Sequence, residues 1–362
     1  MLRRTLPALC LTLLLCVPAS RAYAARAVSV TRAASVAHAA SVTRAAPVAR
    51  AASAVPATAG DGEVVAVDQA SRRVLVLRGV EELMEYQGVD RPPVVWSWAA
   101  DRAPDLGDLD PEQSWTDPDE AKGRTLDGRH YLLTTASGGL AAVVDTATGA
   151  SRWAADLGGD VNPHSIELLP DGNVAVAASA GGWVRLYAAS QGSRATAHAT
   201  FRLPGAHGVH WDERTGLLWV LGDGELTGLR VGGDPDAPAL TAVRSAPLPD
   251  QGGHDLAPVL GSPGRFWVST LNGVWQYDPA ADGFTAVHLA DPADPAHSAD
   301  PAEGRDVKSI GDEPGTGRLL TVVPDHSPAC DWCTSVIRLH RPEGTWKLTG
   351  TQLYKARWWG GR

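Results

Sequence analysis

The sequence predicts an all-β protein, a six-bladed β-propeller closed into a ring by its C-terminal strand. The first observation is a repeat in which a His or a Lys opens a short strand that leads into a tight turn and then an apolar strand. The second is the spacing of 42 to 54 residues between openings, which is typical of one four-stranded blade. The third is composition, because each interval holds strands rich in Val, Leu and Trp between Gly, Asp and Pro turns. The openings are Lys122, His164, His207, His254, Lys308 and Lys355.

The first blade lacks an inner strand until the C-terminus is added to it. Residues 63–68, 73–78 and 94–99 supply three outer strands, and residues 354–358 (YKARW) begin like the other inner strands. A ring closed in this way leaves no unpaired sheet edge. We therefore expect the C-terminal segment to be the inner strand of the first blade. A short candidate helix at Glu81–Tyr86 is the exception to the β pattern.

Two segments precede the predicted propeller, which covers residues 61–362. Residues 1–24 resemble a signal peptide, because two arginines precede an apolar run and a small-x-small site ends at Ala24. The run is too short to cross a bilayer, so we expect no transmembrane segment. We expect cleavage after Ala24 and a secreted, extracellular protein that is a monomer. Residues 25–60 repeat hexamers such as SVTRAA without an acidic or aromatic residue, which predicts a disordered tether.

The charge distribution makes nucleic acid an unsuitable partner. All 41 acidic residues follow residue 60, whereas seven of the 32 basic residues precede it. The predicted propeller is therefore more acidic than the formal net charge of −9 for the whole chain, and it would repel phosphate backbones. The acid-rich insertion Asp101–Glu120 either guards the channel mouth or is a solvated loop, and we favour the solvated interpretation.

Three imidazoles from consecutive blades are the candidate catalytic residues, and they open their strands at the position nearest the channel axis. Neutral imidazoles there could bind a divalent metal ion, or act as general acids and bases. A polar residue at this place can also simply pair with a neighbouring blade. The catalytic and tentative metal-binding candidates are His164, His207 and His254. Residues beside them that could orient the imidazoles are Glu167, His210 and Asp255.

The remaining openings supply positive charge at the same predicted mouth. Fixed cations converging at one point predict a site for a carboxylate, sulfate or phosphate. The predicted anion-binding residues are Lys122, Lys308, Lys355, Arg124 and Arg357.

Cysteines and tryptophans add two smaller predictions. Cys330 and Cys333 are the cysteines that remain after the predicted cleavage, and in an exported protein they are expected to form a disulfide. Most tryptophans lie within strands and should pack between blades. Trp115, Trp332 and Trp358 are candidates for stacking on a sugar.

Several motifs carry family resemblances. PHSIELLPDGNVAVA, GAHGVHWD, GGHDLAPV and YKARWW resemble an uncharacterised family of secreted actinobacterial six-bladed propellers, which implies no established activity. Asp145–Trp153 (DTATGASRW) is similar to a blade signature of quinoprotein-type propellers. A His-lined mouth with Lys and Arg is distantly similar to the oligogalacturonate lyases, which bind a metal and abstract a proton beside a uronate carboxylate. It is also similar to the arylsulfotransferases, in which His and Arg handle a sulfate.

Two functional hypotheses follow from these patterns. The first is an extracellular carbohydrate-active enzyme, a polysaccharide lyase or hydrolase, in which the cations neutralise the carboxylate of an anionic glycan and the imidazoles hold a metal or act as the base. The alternative is a non-catalytic propeller that binds an anionic ligand or a partner in the cell envelope.

Overall fold

A computed structural model describes residues 62–78, 94–289, 304–313, 315–341 and 343–360. In these residues, 24 strands form six four-stranded antiparallel sheets, and each inner strand contacts the inner strands of its two neighbours around a ring. The predicted six-bladed propeller is confirmed. The predicted signal peptide (1–24), tether (25–60) and candidate helix Glu81–Tyr86 lie outside the described residues.

The blades are numbered in ring order, starting from the one that contains both ends of the propeller. Blade 1 contains β1 (Val64–Asp68), β2 (Arg73–Leu77) and β3 (Val94–Trp98) with β24 (Leu353–Trp358). Blade 2 contains β4 (Pro118–Leu126), β5 (Arg129–Ala136), β6 (Leu140–Asp145) and β7 (Ser151–Asp156). Blade 3 contains β8 (Pro163–Leu168), β9 (Val174–Ala178), β10 (Trp183–Tyr187) and β11 (His198–Arg202).

The other three blades follow the same order. Blade 4 contains β12 (Gly208–Asp212), β13 (Leu217–Leu221), β14 (Glu225–Asp234) and β15 (Ala237–Pro247). Blade 5 contains β16 (Asp255–Pro258), β17 (Phe266–Ser269), β18 (Val274–Asp278) and β19 (Gly283–Ala286). Blade 6 contains β20 (Ser309–Asp312), β21 (Leu319–Val322), β22 (Val336–His340) and β23 (Gly344–Lys347).

The core lies between the blades. Six clusters of buried apolar side chains fill the six junctions, one for each neighbouring pair of blades. Because both faces of a blade are covered, its central strands are continuous apolar runs, as in Val64–Val67 and Val174–Ala178. This explains why the sequence shows buried strands with little alternation of polar and apolar residues.

The C-terminal strand closes the ring as predicted. β24 pairs antiparallel with β1, with Val64 opposite Trp358, Val65 opposite Arg357 and Ala66 opposite Ala356. The inner strand of blade 1 thus comes from the end of the chain and its other three strands from the beginning. The two ends of the propeller are joined by one hydrogen-bonded ladder.

Helix is confined to single turns in the described residues. One α-helical turn, α1 (Pro111–Ser114), lies in the insertion before blade 2, and four 3-10 turns cover Ala100–Arg102, Gly107–Leu109, Gly159–Val161 and Ala189–Gln191. No helix in the described part of the chain has the length and apolar character needed to cross a membrane.

The acid-rich insertion is less solvated than predicted. Its Trp115 is fully buried, packs edge-on against Trp98 and donates its indole N–H to the Arg72 carbonyl. Its last two residues, Asp119 and Glu120, are buried inside the channel. The solvated interpretation is therefore wrong for the end of this segment, because β4 starts at Pro118 and carries both carboxylates inward.

Candidate functional site

One side chain from each blade lies at the channel end where the inner strands begin. We call this set the upper ring: Asp119, His164, His207, His254, Lys308 and Tyr354. The backbone N–H groups of His207, His254 and Lys308 each bond to the last residue of the next strand of their own blade. The other three members occupy the matching place in β4, β8 and β24, where each ladder shifts register.

The upper ring differs from the predicted one at two positions. Lys122 lies three residues further along β4 than Asp119, and Lys355 lies one residue beyond Tyr354. The sequence pattern aligned strands by residue type, whereas β-bulges in blades 1, 2 and 3 set the true register. His164, His207, His254 and Lys308 are placed as predicted.

The three imidazoles lie close together, and two of them stack face to face. The rings of His164 and His207 stack with centroids 4.6 Å apart and planes 18° apart, and His254 lies 4.8 Å from His207. Stacking turns the faces of His164 and His207, rather than their nitrogen-bearing edges, towards each other, and the His254 ring is tilted by 38° against His207. No group of three or more His, Cys, Asp or Glu residues in the described ranges has the arrangement of a metal site. The metal role of these residues stays a prediction.

Each imidazole has a hydrogen-bond partner that orients its ring. His207 donates through Nδ1 to the Gly205 carbonyl at 2.7 Å, which leaves Nε2 as the lone-pair nitrogen of the neutral ring. His254 Nε2 shares a 3.0 Å hydrogen bond with the Tyr354 hydroxyl. The Asn162 amide lies 3.1 Å from His164 Nε2.

Burial keeps the imidazoles uncharged. It is the largest cause that lowers the pKa of His207 from 6.5 to about 4, and the charges of Lys355 and Lys308 act in the same direction. Burial also lowers the pKa of His164 and of His254 well below the ordinary range, again together with neighbouring positive charge. At neutral pH the three imidazoles of the upper ring are therefore bases rather than cations.

Asp119 and His164 form a buried pair that the sequence did not indicate. Asp119 Oδ1 lies 3.8 Å from His164 Nδ1, and the Ser137 hydroxyl donates to both carboxyl oxygens. Burial raises the pKa of Asp119 well above its ordinary value. His164 Nδ1 is buried and has no hydrogen-bond partner in the described residues. The pair thus has a nitrogen free for a ligand or for proton exchange.

Below the upper ring, a second layer of charged and hydrogen-bonding side chains spans the channel. We call it the central network: Glu120, Lys122, Ser165, Asp255, Lys355 and Arg357. Arg357 bonds to both Glu120 oxygens at 2.8 and 3.1 Å and to both oxygens of Asp255. Lys355 lies 3.3 Å from Asp255 and 3.6 Å from Glu120. Each of these side chains is at most 10% exposed.

The central network also joins blades through their backbones. Lys122 donates to the Ser165 hydroxyl at 2.9 Å and to the Val209 carbonyl at 2.8 Å, which links blades 2, 3 and 4. Asp255 accepts the backbone N–H of Ile310 in blade 6. All six blades therefore meet in one hydrogen-bonded layer.

Ion pairing holds the acids of the central network in their charged form. Burial alone would raise the pKa of Glu120, but the charges of Arg357, Lys355 and Lys122 bring it below its ordinary value. Asp255 shows the same balance, with burial opposed by Arg357 and Lys355, and its pKa is also lowered. Burial lowers the pKa of Lys122 to about 8, although Glu120 and Glu167 oppose this.

Arg124, Glu167 and His210 lie further down the channel. Glu167 accepts a bidentate pair of hydrogen bonds from Arg124 at 2.7 and 2.6 Å and lies 3.5 Å from His210 Nδ1. In the structure Glu167 bonds to Arg124 and Asp255 bonds to Arg357, and His210 lies beside Glu167. The predicted orienting role of Glu167, His210 and Asp255 stays a prediction.

The predicted cationic ring is thus largely neutralised from within. Carboxylates that the pattern did not weigh, above all Glu120, pair with Lys122, Lys355 and Arg357, and Glu167 pairs with Arg124. Lys308 is different, because it is half-buried at the mouth and has no ion pair with any described residue. Burial lowers the pKa of its ammonium group, against the charges of Asp306 and Asp331.

An exposed tryptophan lies at the rim of the same mouth. Trp332 is 50% exposed and donates its indole N–H to Gln69 Oε1, and Gln69 in turn donates to the Pro118 carbonyl next to Asp119. It lies within the short loop closed by the Cys330–Cys333 disulfide, which is confirmed. Of the three tryptophans predicted to stack on a sugar, Trp115 and Trp358 are buried and Trp332 is accessible.

We predict that stability falls as the pH drops from about 6.5 to about 4. Folding lowers the pKa of His207 from 6.5 to about 4, so the unfolded chain binds more protons than the folded chain throughout this window. Protonation therefore favours the unfolded state, and the free energy of unfolding decreases as the pH falls. Denaturant unfolding at several pH values measures the slope. His207→Gln should flatten it, whereas His198→Gln, at an exposed position, should not. Equal slopes for wild type and His207→Gln would contradict this origin.

The chain matches a known protein family over most of its length. A model for a family of unknown function, DUF6528, matches residues 39–360. This confirms the predicted membership in an uncharacterised family. The secreted and actinobacterial character of that family, and the similarities to oligogalacturonate lyases, arylsulfotransferases and quinoprotein propellers, stay predictions. No curated protein matches the chain.

Several solved structures are similar to this chain at low identity. A protein of unknown function from Bacteroides caccae is 10% identical with a TM-score of 0.49, over 82% of this chain and 98% of that one. Hydrazine synthase of Kuenenia stuttgartiensis is 13% identical with a TM-score of 0.42, over 60% and 62%. Virginiamycin B lyase from Staphylococcus aureus is 15% identical with a TM-score of 0.40, over 62% and 68%. Nothing about function follows from similarities at this level.

Proposed function

We propose that this chain, which belongs to the DUF6528 family of unknown function, binds the carboxylate of an anionic sugar at its upper ring and acts there as a polysaccharide lyase. One observation carries the proposal. The upper ring brings an ammonium group without an ion-pair partner among the described residues together with three neutral imidazoles and a phenol. The ammonium supplies charge for a carboxylate, and the other groups can accept or donate a proton.

Lys308 is the residue assigned to the carboxylate. The deeper cations are held by Glu120, Asp255 and Glu167, so they contribute less to binding an incoming anion. Lys308 lies directly before β20, as His207 and His254 lie directly before their strands. Its charge helps to lower the pKa of all three upper imidazoles, which supports placing the ammonium near the rings. A carboxylate beside Lys308 would therefore also lie beside the bases.

His207 is the candidate base, and Tyr354 the candidate acid. The Gly205 carbonyl holds the Nδ1 proton of His207, so Nε2 is free to take the proton next to the sugar carboxylate. The electron pair of that C–H bond forms the new C=C bond, and the C–O bond to the next sugar breaks. The leaving oxygen takes a proton from the Tyr354 phenol. A bound carboxylate would raise the low pKa of His207 and strengthen it as a base.

Trp332 supports a sugar as the ligand body. Its indole face is accessible at the rim, and its edge is fixed by Gln69, so the ring can pack against the C–H face of a pyranose without losing much conformational freedom. We propose extracellular action as well. The Cys330–Cys333 disulfide supports this, because disulfides persist in oxidising compartments.

Lys308→Gln tests the binding step. It should weaken binding of galacturonate at least tenfold in titration calorimetry, as expected for the loss of one charge-assisted hydrogen bond. Lys347→Gln is the matched control, because Lys347 is an exposed lysine at the end of β23 in the same blade. Equal affinity of Lys308→Gln and wild type would overturn the proposed site.

His207→Gln tests the chemistry. Wild type should release unsaturated uronates from a panel of uronate polysaccharides, detected by the ultraviolet absorbance of the conjugated C=C bond. His207→Gln should bind galacturonate but give no such product. Binding by wild type without any product would show instead the non-catalytic propeller that binds an anionic ligand.

A further inference from the structure

We propose a second ligand site at the lower end of the channel, for a small carboxylate with a short apolar body. A small pocket of about 50 Å3, open to solvent on one side, lies where the inner strands end. Blades 1, 2, 5 and 6 line it, with Lys122, Arg124 and Arg357 from blades 1 and 2 and with Ala257, Ile310 and Gly311 from blades 5 and 6. This volume is smaller than that of a usual small-molecule pocket, so a ligand would be small and would extend through the open side.

The central network lies between this pocket and the upper ring. Arg357 of blade 1 donates across the channel to Glu120 of blade 2 and to Asp255 of blade 5. Along β4, Arg124 lies five residues beyond Asp119, which corresponds to roughly 16 Å at 3.3 Å per residue. The pocket therefore does not belong to the proposed sugar site.

The pocket exists because two blades carry small residues where the other four carry large polar ones. In sheet register, Ala257 and Gly311 match the positions of the longer side chains in the remaining blades. Those longer side chains are Lys122, Glu167, His210 and Arg357. Blades 5 and 6 therefore leave one side of the lower channel unfilled, opposite the cations of blades 1 and 2.

Arg124 provides the recognition element. Its Nε and Nη2 bond to Glu167, and Nη1 donates to the Gly123 carbonyl, so the second edge of the guanidinium still has N–H groups to donate. Arg357 shows in the same molecule that one guanidinium can bond to two carboxylates, Glu120 and Asp255. The second edge of Arg124 is suited to a carboxylate.

The other walls define the rest of the ligand. Pro258, Leu260, Ile310 and the Trp358 ring are apolar, and they favour an aromatic or branched aliphatic body. Asp312 also lines the pocket, but its oxygens already accept N–H groups from Leu260, Gly261 and the Trp267 indole. It therefore offers little to a ligand, and an anion approaches from the Arg124 side.

Phenylacetate is a suitable probe, because it joins one carboxylate to one aromatic ring. We expect wild type to bind it at millimolar concentration or below in ligand-observed NMR. Gly311→Leu should reduce the affinity at least tenfold. A Cβ on Gly311 meets the Trp358 ring only at 3.6 Å, an ordinary contact, so the longer side chain can extend into the pocket. Arg124→Lys should also weaken binding, because it retains a positive charge beside Glu167 but removes the second guanidinium edge.

Lys308→Gln separates this site from the upper ring. It should leave phenylacetate binding unchanged, whereas Gly311→Leu should leave galacturonate binding unchanged. Thermal unfolding of each variant shows whether it is folded. Loss of phenylacetate binding in Lys308→Gln, or its retention in folded Gly311→Leu, would overturn the lower site without affecting the proposed function. Absence of binding to wild type at millimolar concentration would overturn it as well.

Discussion

Glu120→Gln is expected to destabilise the folded chain by about 3–5 kcal/mol, the usual cost of breaking a buried ion pair. Glu120 is fully buried, and its carboxylate accepts hydrogen bonds from Arg357 and Ser165. Gln preserves the shape but removes the negative charge, so Asp255 alone would face the cations of the central network. Denaturant unfolding at neutral pH measures the change, and the surface ion-pair variant Arg129→Ala should show little of it.

A double-mutant cycle separates this explanation from simple loss of packing. Glu120→Gln combined with Arg357→Gln removes one negative and one positive charge, so the double variant should lose less stability than the sum of the single variants. An additive result would mean that the two side chains do not act as a pair. Unaltered stability of Glu120→Gln would mean that the central network does not hold the blades together.

Most of the fold could be predicted from the sequence because blade formation is a local property. Each interval contains its own apolar strands and turns, and a blade folds from contiguous chain in five of the six cases. Even the closure was predictable. Residues 63–98 supply three strands without an inner one, and the strand that contains Lys355 follows five blades that each already have an inner strand. Position in the repeat was enough for these inferences.

The site could be predicted only in part, because sheet register is not visible in residue type. His164, His207, His254 and Lys308 were found because they open their strands. Asp119 and Tyr354 occupy the same place but are not basic, and β-bulges shift them relative to the lysines. The carboxylates that pair with the cations were missed for a similar reason, since Glu120 belongs to a segment whose other acids are mostly exposed. Only the structure shows that it turns inward and neutralises the cations.

Deleting residues 353–362 should abolish cooperative folding of the propeller. The deletion removes β24, and with it Tyr354 from the upper ring and Lys355 and Arg357 from the central network. It also exposes the ladder of β1 and opens the apolar junctions of blade 1 with blades 2 and 6, where Trp359 and Trp358 are buried. Stability of a domain is small compared with these contributions, so their joint loss exceeds what the fold can tolerate.

A matched pair of truncations tests the closure directly. Ending the chain after Gly360 retains β24 and should give a thermal transition close to that of the full chain, whereas ending it after Gln352 should give none. A synthetic peptide of residues 350–362 added to the shorter chain should restore a transition, since the missing strand pairs through backbone hydrogen bonds with β1. A cooperative transition at an unchanged temperature in the chain that ends at Gln352 would refute the closure, because β1 would then need no partner from the C-terminus.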